Sequence, residues 1–337
     1  MGYQDIVIRK AGINDIDNII EFIKINWQQD HIFVKERGLF EYQHLIDNNF
    51  NFIVAEDAFT NTLCGICGYI PSNNSSNNKT MWGAILKVIK NGSPTLGIKL
   101  LNYIANLSDC SIFAGCGINA RTIPIYDFMG YSTGKLEHYY RLDNRETYQV
   151  AVINNKKIAD VKYTNFKLIR LDTYADFLRA FNIEEYKNRK PYKDNWYICR
   201  RYYDYPIYKY HVYGIQNENN EIKSILVARE TFQNGVKLLR VVDFIGRDDD
   251  LDSISSEIQR LIDENEYEYI DFYCHGIDEV HLKNAGFERR TQEDNNIIPN
   301  YFGPFLQKNI DIYFFTNECE NFYMFKADGD QDRPSFI

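Results

Sequence analysis

The sequence predicts an α+β protein with α/β-like layers, organised as two domains that each hold a mixed central sheet flanked by helices. Three observations lead there. The 337 residues exceed one ordinary core and suit two domains. Strand-type alternation is interleaved with helical stripes along the whole chain, as expected for sheets and helices packed in layers. The order of these segments also repeats after about 160 residues without close identity, which points to a duplicated plan.

Composition narrows the class further. The chain is 45% hydrophobic and 25% charged, ordinary values for a globular protein. A formal net charge of −9 with no Lys/Arg block argues against nucleic acid as a partner. Met1 to Lys10 has no apolar signal core, and no apolar run approaches the roughly 18–20 residues of a membrane span. The seven cysteines are scattered and odd in number, which argues against a disulfide framework and for a reducing cytoplasm. Cys64 and Cys67 are spaced like half a zinc site, but they sit in a strand-like run with no second pair, so no metal is expected.

The first half reads in order as follows. Asp5 to Arg9 alternates as a strand. Asn14-Asp-Ile-Asp17 starts a helix whose stripe is Ile19, Ile20, Phe22 and Ile23. Trp27 to Phe33 mixes aromatic, acidic and imidazole groups, and Leu39 to Leu45 resumes a helical stripe. Phe50 to Glu56 and Leu63 to Ile70 are strands, and Pro71 to Lys79 is a polar loop. A strand then ends in Leu86 and Val88 and enters a small-residue turn, Asn91 to Thr95. The helix Leu96 to Ile104 follows, with Gly97 in its first turn. Free N–H groups and the helix dipole at such a start favour an anion. The strand Ser111 to Gly117 leads to Asn119, Tyr126, Gly130 and Tyr131. His138 to Leu142 and Tyr148 to Ile153 read as the last strands of the half.

This order resembles the GNAT acyl-CoA N-acyltransferase family over roughly residues 5–153. The family opens its helix with Arg/Gln-x-x-Gly-x-Gly/Ala; here Gly92, Thr95 and Gly97 take those places, and Gly97 alone matches. Its later signature, Asn, then Tyr, then Gly with an aromatic, is met at the same spacing by Asn119, Tyr126 and Gly130-Tyr131. The resemblance implies acetyl-CoA, or another acyl-CoA, as co-substrate, held by Leu86, Val88, Gly92, Thr95, Gly97 and Asn119. It implies that Tyr126 protonates the departing thiolate. The plainer alternatives are a core tyrosine and a helix-capping asparagine. The segment Trp27 to His31 resembles one in a branch of the family encoded with surface-polysaccharide genes. His31 would then act as general base or hold a sugar hydroxyl; the plainer alternative is a surface or capping histidine.

Asn154 to Lys157 is a polar break, which places the expected domains at 1–154 and 155–337. The second half repeats the order: strand Phe166 to Arg170, helix Tyr174 to Phe181, strands Ile225 to Glu230 and Leu238 to Ile245, helix Leu251 to Ile262, strand Tyr269 to His275, and helix Val280 to Ala285. It departs where a cofactor would sit. Asp248, Asp249 and Asp250 stand where a pyrophosphate should rest and would repel it. Leu282 replaces the tyrosine and His275 the asparagine. This arrangement resembles tandem peptidoglycan aminoacyl transferases and protein myristoyltransferases, which implies that the second copy helps shape the acceptor site. The acidic stretch from Asp328 to Arg333 can hydrogen-bond sugar hydroxyls, although such tails are usually solvated.

The expectation is therefore a cytoplasmic N-acyltransferase acting on an amino sugar or nucleotide sugar for a surface glycan. A non-catalytic sugar-binding protein and a Fem-type aminoacyl transferase remain as alternatives. The oligomeric state, a homodimer included, is left open.

Overall fold

The computed structural model describes residues 5–75, 78–89, 93, 95–293 and 295–333. The main elements, in chain order, are β1 (Ile6–Lys10), α1 (Ile16–Asn26), α2 (Ile32–Lys35), α3 (Arg37–His44), β2 (Phe52–Asp57), β3 (Leu63–Pro71), β4 (Lys79–Val88), α4 (Leu96–Ala105), β5 (Cys110–Ile118), α5 (Ile123–Phe128) and β6 (Ser132–Lys135). Then come β7 (Glu137–Leu142), β8 (Lys167–Arg170), α6 (Tyr174–Ala180), β9 (His211–Gln216), β10 (Ile222–Gln233), β11 (Val236–Ile245), α7 (Ser255–Asn265), β12 (Tyr267–His275), α8 (Glu279–Asn284), β13 (Glu288–Arg289), β14 (Tyr313–Thr316) and β15 (Met324–Phe325).

The chain forms two compact units. The first takes residues 1–133 together with 314–319 and 329–337; the second takes 134–313 and 320–328. The dividing point thus falls ahead of the junction expected at 154/155. Asn154 and Asn155 are not a linker, because both backbone N–H groups donate to the buried Asn296 carboxamide within the second unit.

The first sheet runs β1-β2-β3-β4-β5-β14-β6. Its pairs are antiparallel up to β4, and β4 pairs with β5 in parallel. α1 buries Ile16, Ile19, Phe22 and Ile23; of the stripe the spacing predicts, Ile20 is only half-buried and Ile16 takes its place. α4 lays Leu96, Leu100, Leu101 and Ile104 on the sheet, against Ile53, Met81 and Phe113. β3 is buried along nearly its whole length, so Cys64 and Cys67 are core strand residues.

The second sheet repeats the plan in the order β8-β9-β10-β11-β12-β7-β13, and here too a central pair, β11 with β12, is parallel. α7 covers it through Ile258, Leu261 and Ile262. β7, assigned from the sequence to the first domain, lies here between β12 and β13. The segment expected as the strand Tyr148 to Ile153 is irregular. The buried Glu268 carboxylate accepts the N–H groups of Gln149, Val150 and Ala151 at 2.6, 2.9 and 2.8 Å, so these donors do not join a ladder.

Both parallel pairs open towards their C-terminal ends. Between β4 and β5 the register runs only from Lys79↔Cys110 to Trp82↔Ala114. Between β11 and β12 it ends at Val241↔Phe272. The second opening is filled by the unit's own chain. β15 pairs with β12 at Phe325↔Cys274 and Met324↔His275, and the Ala327 N–H donates to Val242 O at 2.9 Å. Lys193 locks this insert, lying 2.7 Å from both Asp243 and Asp328 with all three side chains buried.

Candidate acyl-transfer site

The opening between β4 and β5 is bordered by Leu86 and Val88 of β4 and by the start of α4. β4 stays paired with β3 on its other edge, but that register shifts between Gly68↔Ile85 and Tyr69↔Gly83 and leaves Ala84 without an opposite residue. Ala84 is therefore released from β3 by a bulge just past the point where β4 parts from β5. Bulges of this kind re-aim backbone groups beside active sites. The spacing of the sequence carries no trace of it.

Leu86 and Val88 follow on the opened part of β4, both half-buried. They face the start of α4: a Cβ at Gly97 would lie 3.9 Å from Val88 Cγ2 and 4.0 Å from Leu86 Cδ2. Thr95 is the N-cap residue of α4 and makes no side-chain capping bond; its hydroxyl is 3.2 Å from that of Ser93. The first turn of α4 holds no acidic residue. An anion is accommodated at a helix start of this type. Gly92, also expected to hold the coenzyme, lies outside the described residues. The matching helical turn of the second unit begins with Asp248, Asp249 and Asp250.

Asn119 is exposed, and its carboxamide oxygen accepts the Arg121 N–H at 3.0 Å, capping the turn that leads into α5. α5 ends on Gly130 at φ +83°. The Tyr131 N–H reaches Tyr126 O and the Gly130 N–H reaches Asp127 O, both at 3.0 Å. This is the double bond of a Schellman cap, so Gly130 supplies a left-handed residue and fixes the end of the helix. The Asn–Tyr–Gly spacing is thus a cap-to-cap ruler around Tyr126.

Tyr126 is buried, with its ring stacked on Phe315 at 4.1 Å and 11°. Burial pushes its phenol well above the usual range, so it keeps its proton at neutral pH. Phe315 arrives on β14, almost two hundred positions away, and sits over Phe113 of β5 at 5.1 Å. No local sequence signal points to this support.

His31 is buried and caps α2: its Nδ1 accepts the Phe33 N–H at 3.2 Å. Burial, reinforced by the Arg333 cation, lowers its pKa to about 3. With Nδ1 used as acceptor, the proton of the neutral ring sits on Nε2, which makes His31 a donor at neutral pH. Its ring lies 5.9 Å from that of Trp27, over which the Lys87 ammonium of β4 sits at 5.9 Å. The segment before α2 therefore stands beside the opened part of β4.

The acidic stretch after Asp328 is folded in rather than solvated. Gly329 packs on Trp82, the last β4 residue in register with β5. Gln331 covers Gly117 of β5, where φ is +83° and a Cβ would fall 1.6 Å from Gln331 Oε1. Arg333 pairs with Asp330 at 2.9 Å and lies over the Phe33 ring at 4.3 Å.

No protein-family model and no curated protein matches this sequence. Solved structures do. A candidate acetyltransferase of Pyrococcus horikoshii aligns over 96% of this chain and 95% of its own, with a TM-score of 0.52 and 9% identity. A candidate N-acyltransferase of Enterococcus faecalis aligns over 94% and 74%, with a TM-score of 0.59 and 10% identity. A GCN5-related N-acetyltransferase of Anabaena variabilis aligns over 93% and 72%, with a TM-score of 0.54 and 11% identity. At such identities the likeness is one of fold, and it agrees with two GNAT-like domains. Among the described residues, no helix is long and apolar enough to cross a membrane.

Proposed function

We propose that the chain is an acyl-CoA-dependent N-acyltransferase whose first unit carries out the transfer. The observation that carries this assignment is the parting of β4 and β5 past Trp82↔Ala114, beside a helix start free of acidic residues. The second unit has the same parting, but it is filled by Met324 to Ala327 and flanked by three aspartates. The first opening receives no such strand insert among the described residues, and the thioester is assigned to it for that reason.

The co-substrate is an acyl-CoA, acetyl-CoA first among candidates. Leu86, Val88, Thr95 and Gly97 line its path, and Asn119 offers its amide nitrogen. The Ala84 N–H, freed by the bulge, donates to the carbonyl oxygen as it becomes an oxyanion. An acceptor amine attacks the thioester carbon, the C–S bond breaks, and Tyr126 gives its proton to the sulfur. His31 is better suited to donate from Nε2–H to an acceptor hydroxyl than to act as base. A donor of that kind fits an amino sugar or nucleotide sugar, and surface glycan synthesis in the cytoplasm is the setting we favour.

Calorimetry with acetyl-CoA tests the assignment, and its failure at millimolar ligand would end it. With Tyr126→Phe, affinity should persist while coenzyme A release drops by about 10²-fold or more. Unchanged turnover would remove Tyr126 from the mechanism.

A further inference from the structure

We infer that Asp330 is the residue that takes the proton of the attacking amine. This rests on the acyltransferase assignment above and gives Asp330 the role of base that the sequence had offered to His31.

The position comes from its two neighbours. Gly329 lies against Trp82, where a Cβ would be 3.3 Å from the tryptophan Cβ, and Gln331 lies against Gly117. Trp82 ends the paired part of β4, and Gly117 lies on β5 beyond its own last pair at Ala114. The chain from 329 to 331 thus reaches from one lip of the opening to the other, and Asp330 is its middle residue.

The carboxylate itself is prepared for one more partner. Its side chain is only 8% exposed. Oδ2 accepts from Arg333 Nε at 3.1 Å, from the second guanidinium nitrogen at 2.9 Å and from Gln43 Nε2 at 3.4 Å. All three donors converge on that one oxygen, and among the described residues none reaches Oδ1. Asp330 as a residue is only partly buried and Oδ1 is not among the enclosed atoms, so that oxygen stays open to a further donor. In the working complex that donor is the N–H of the acceptor.

The chemistry balances. The amine nitrogen forms a bond to the thioester carbon, and the adduct nitrogen becomes positive and acidic. Asp330 Oδ1 removes its proton as the C–S bond breaks and sulfur takes the Tyr126 proton. Solvent then accepts the proton from Asp330 and returns one to Tyr126. The products are an amide and free coenzyme A. Arg333 and Gln43 hold Oδ2 and so aim Oδ1.

The test measures coenzyme A release from acetyl-CoA with glucosamine and a panel of simple primary amines, using the full chain. Asp330→Asn should lower kcat about a hundredfold or more while acetyl-CoA affinity stays within about threefold, which also shows that the variant folds. Asp330→Glu, which restores a carboxylate, should recover at least about tenfold of that loss. Turnover of the Asn variant close to that of the parent overturns the role of Asp330 and leaves the acyltransferase standing. Equal losses in both variants with affinity intact overturn it too, as does a parent that binds acetyl-CoA but acylates no amine. A parent that does not bind acetyl-CoA overturns both assignments.

Discussion

Replacing Lys193 with methionine should unlock the insert that fills the second unit's opening. The lysine ammonium lies 2.7 Å from both oxygens of Asp243 and 2.7 Å from Asp328 Oδ1. The lysine side chain is 3% exposed and both carboxylates 0%. Asp243 also accepts the Phe244 N–H at 2.9 Å, and Asp328 accepts the Phe325 N–H at 2.9 Å. Without the cation these bonds remain, but two carboxylates are left in the interior with no countercharge between them. Removing one partner of a buried pair costs about 3–5 kcal/mol. For a unit of this size that corresponds to a melting shift of about 6–20 °C. Hydrogen exchange should locate the loss on Met324 to Asp328 and on β12. The sign with pH is also set. Burial already pushes the Asp328 carboxyl up to about 6, above its unfolded value, so it folds more readily protonated. In Lys193→Met that tendency grows, so the deficit should be largest above neutral pH and shrink as pH falls towards 5. A loss below about 1 kcal/mol, or a deficit that widens on acidification, would refute the role given to this lysine.

Two further outcomes are expected. Phe315→Ala removes the ring under Tyr126 and a core contact to Phe113; a stability loss of about 3–5 kcal/mol in chemical unfolding, with coenzyme A release reduced beyond the loss of folded protein, is expected. His31 has a folded pKa of about 3 against an ordinary 6.5, so its contribution is complete above 6.5 and is lost as pH falls towards 3. His31→Asn keeps a capping oxygen for the Phe33 N–H. The variant should therefore show a shallower acid dependence of unfolding, by about 1.4 kcal/mol per pH unit below 6.5; an unchanged slope would show that the histidine is already charged in the fold.

The layers were legible because their signals are local. The stripes of α1 and α4 and the alternation of β2 and β3 need only a few neighbouring residues to be seen. The Asn119–Tyr126–Gly130 spacing was legible too, and the structure gives its reason in two caps, one at each end of the segment carrying the tyrosine. What escaped depends on partners far away in sequence. Tyr148 to Ile153 alternates like a strand, but one buried carboxylate, Glu268, takes its donors first. His138 to Leu142 is a strand as read, but no local pattern says which sheet receives it. The stretch after Asp328 has the composition of a solvated tail, and only Gly117, Trp82 and Phe33 in the fold make it an inside surface. Ala84 could not be read at all, because a bulge belongs to the register of two strands and not to either one.

The late strands have a consequence for how the molecule is made. β14 is inserted next to β5, and β15 pairs with β12, so each sheet waits for residues beyond 312 before its ladder is complete. A chain emerging from the ribosome would carry β5 and β12 with unsatisfied edges until those residues appear. Pairings at such sequence separation are slow to form, and open strand edges invite association in the meantime. Nascent chains stalled before residue 313 should therefore be held by chaperones or aggregate, and the two sheets should become resistant to protease late in synthesis.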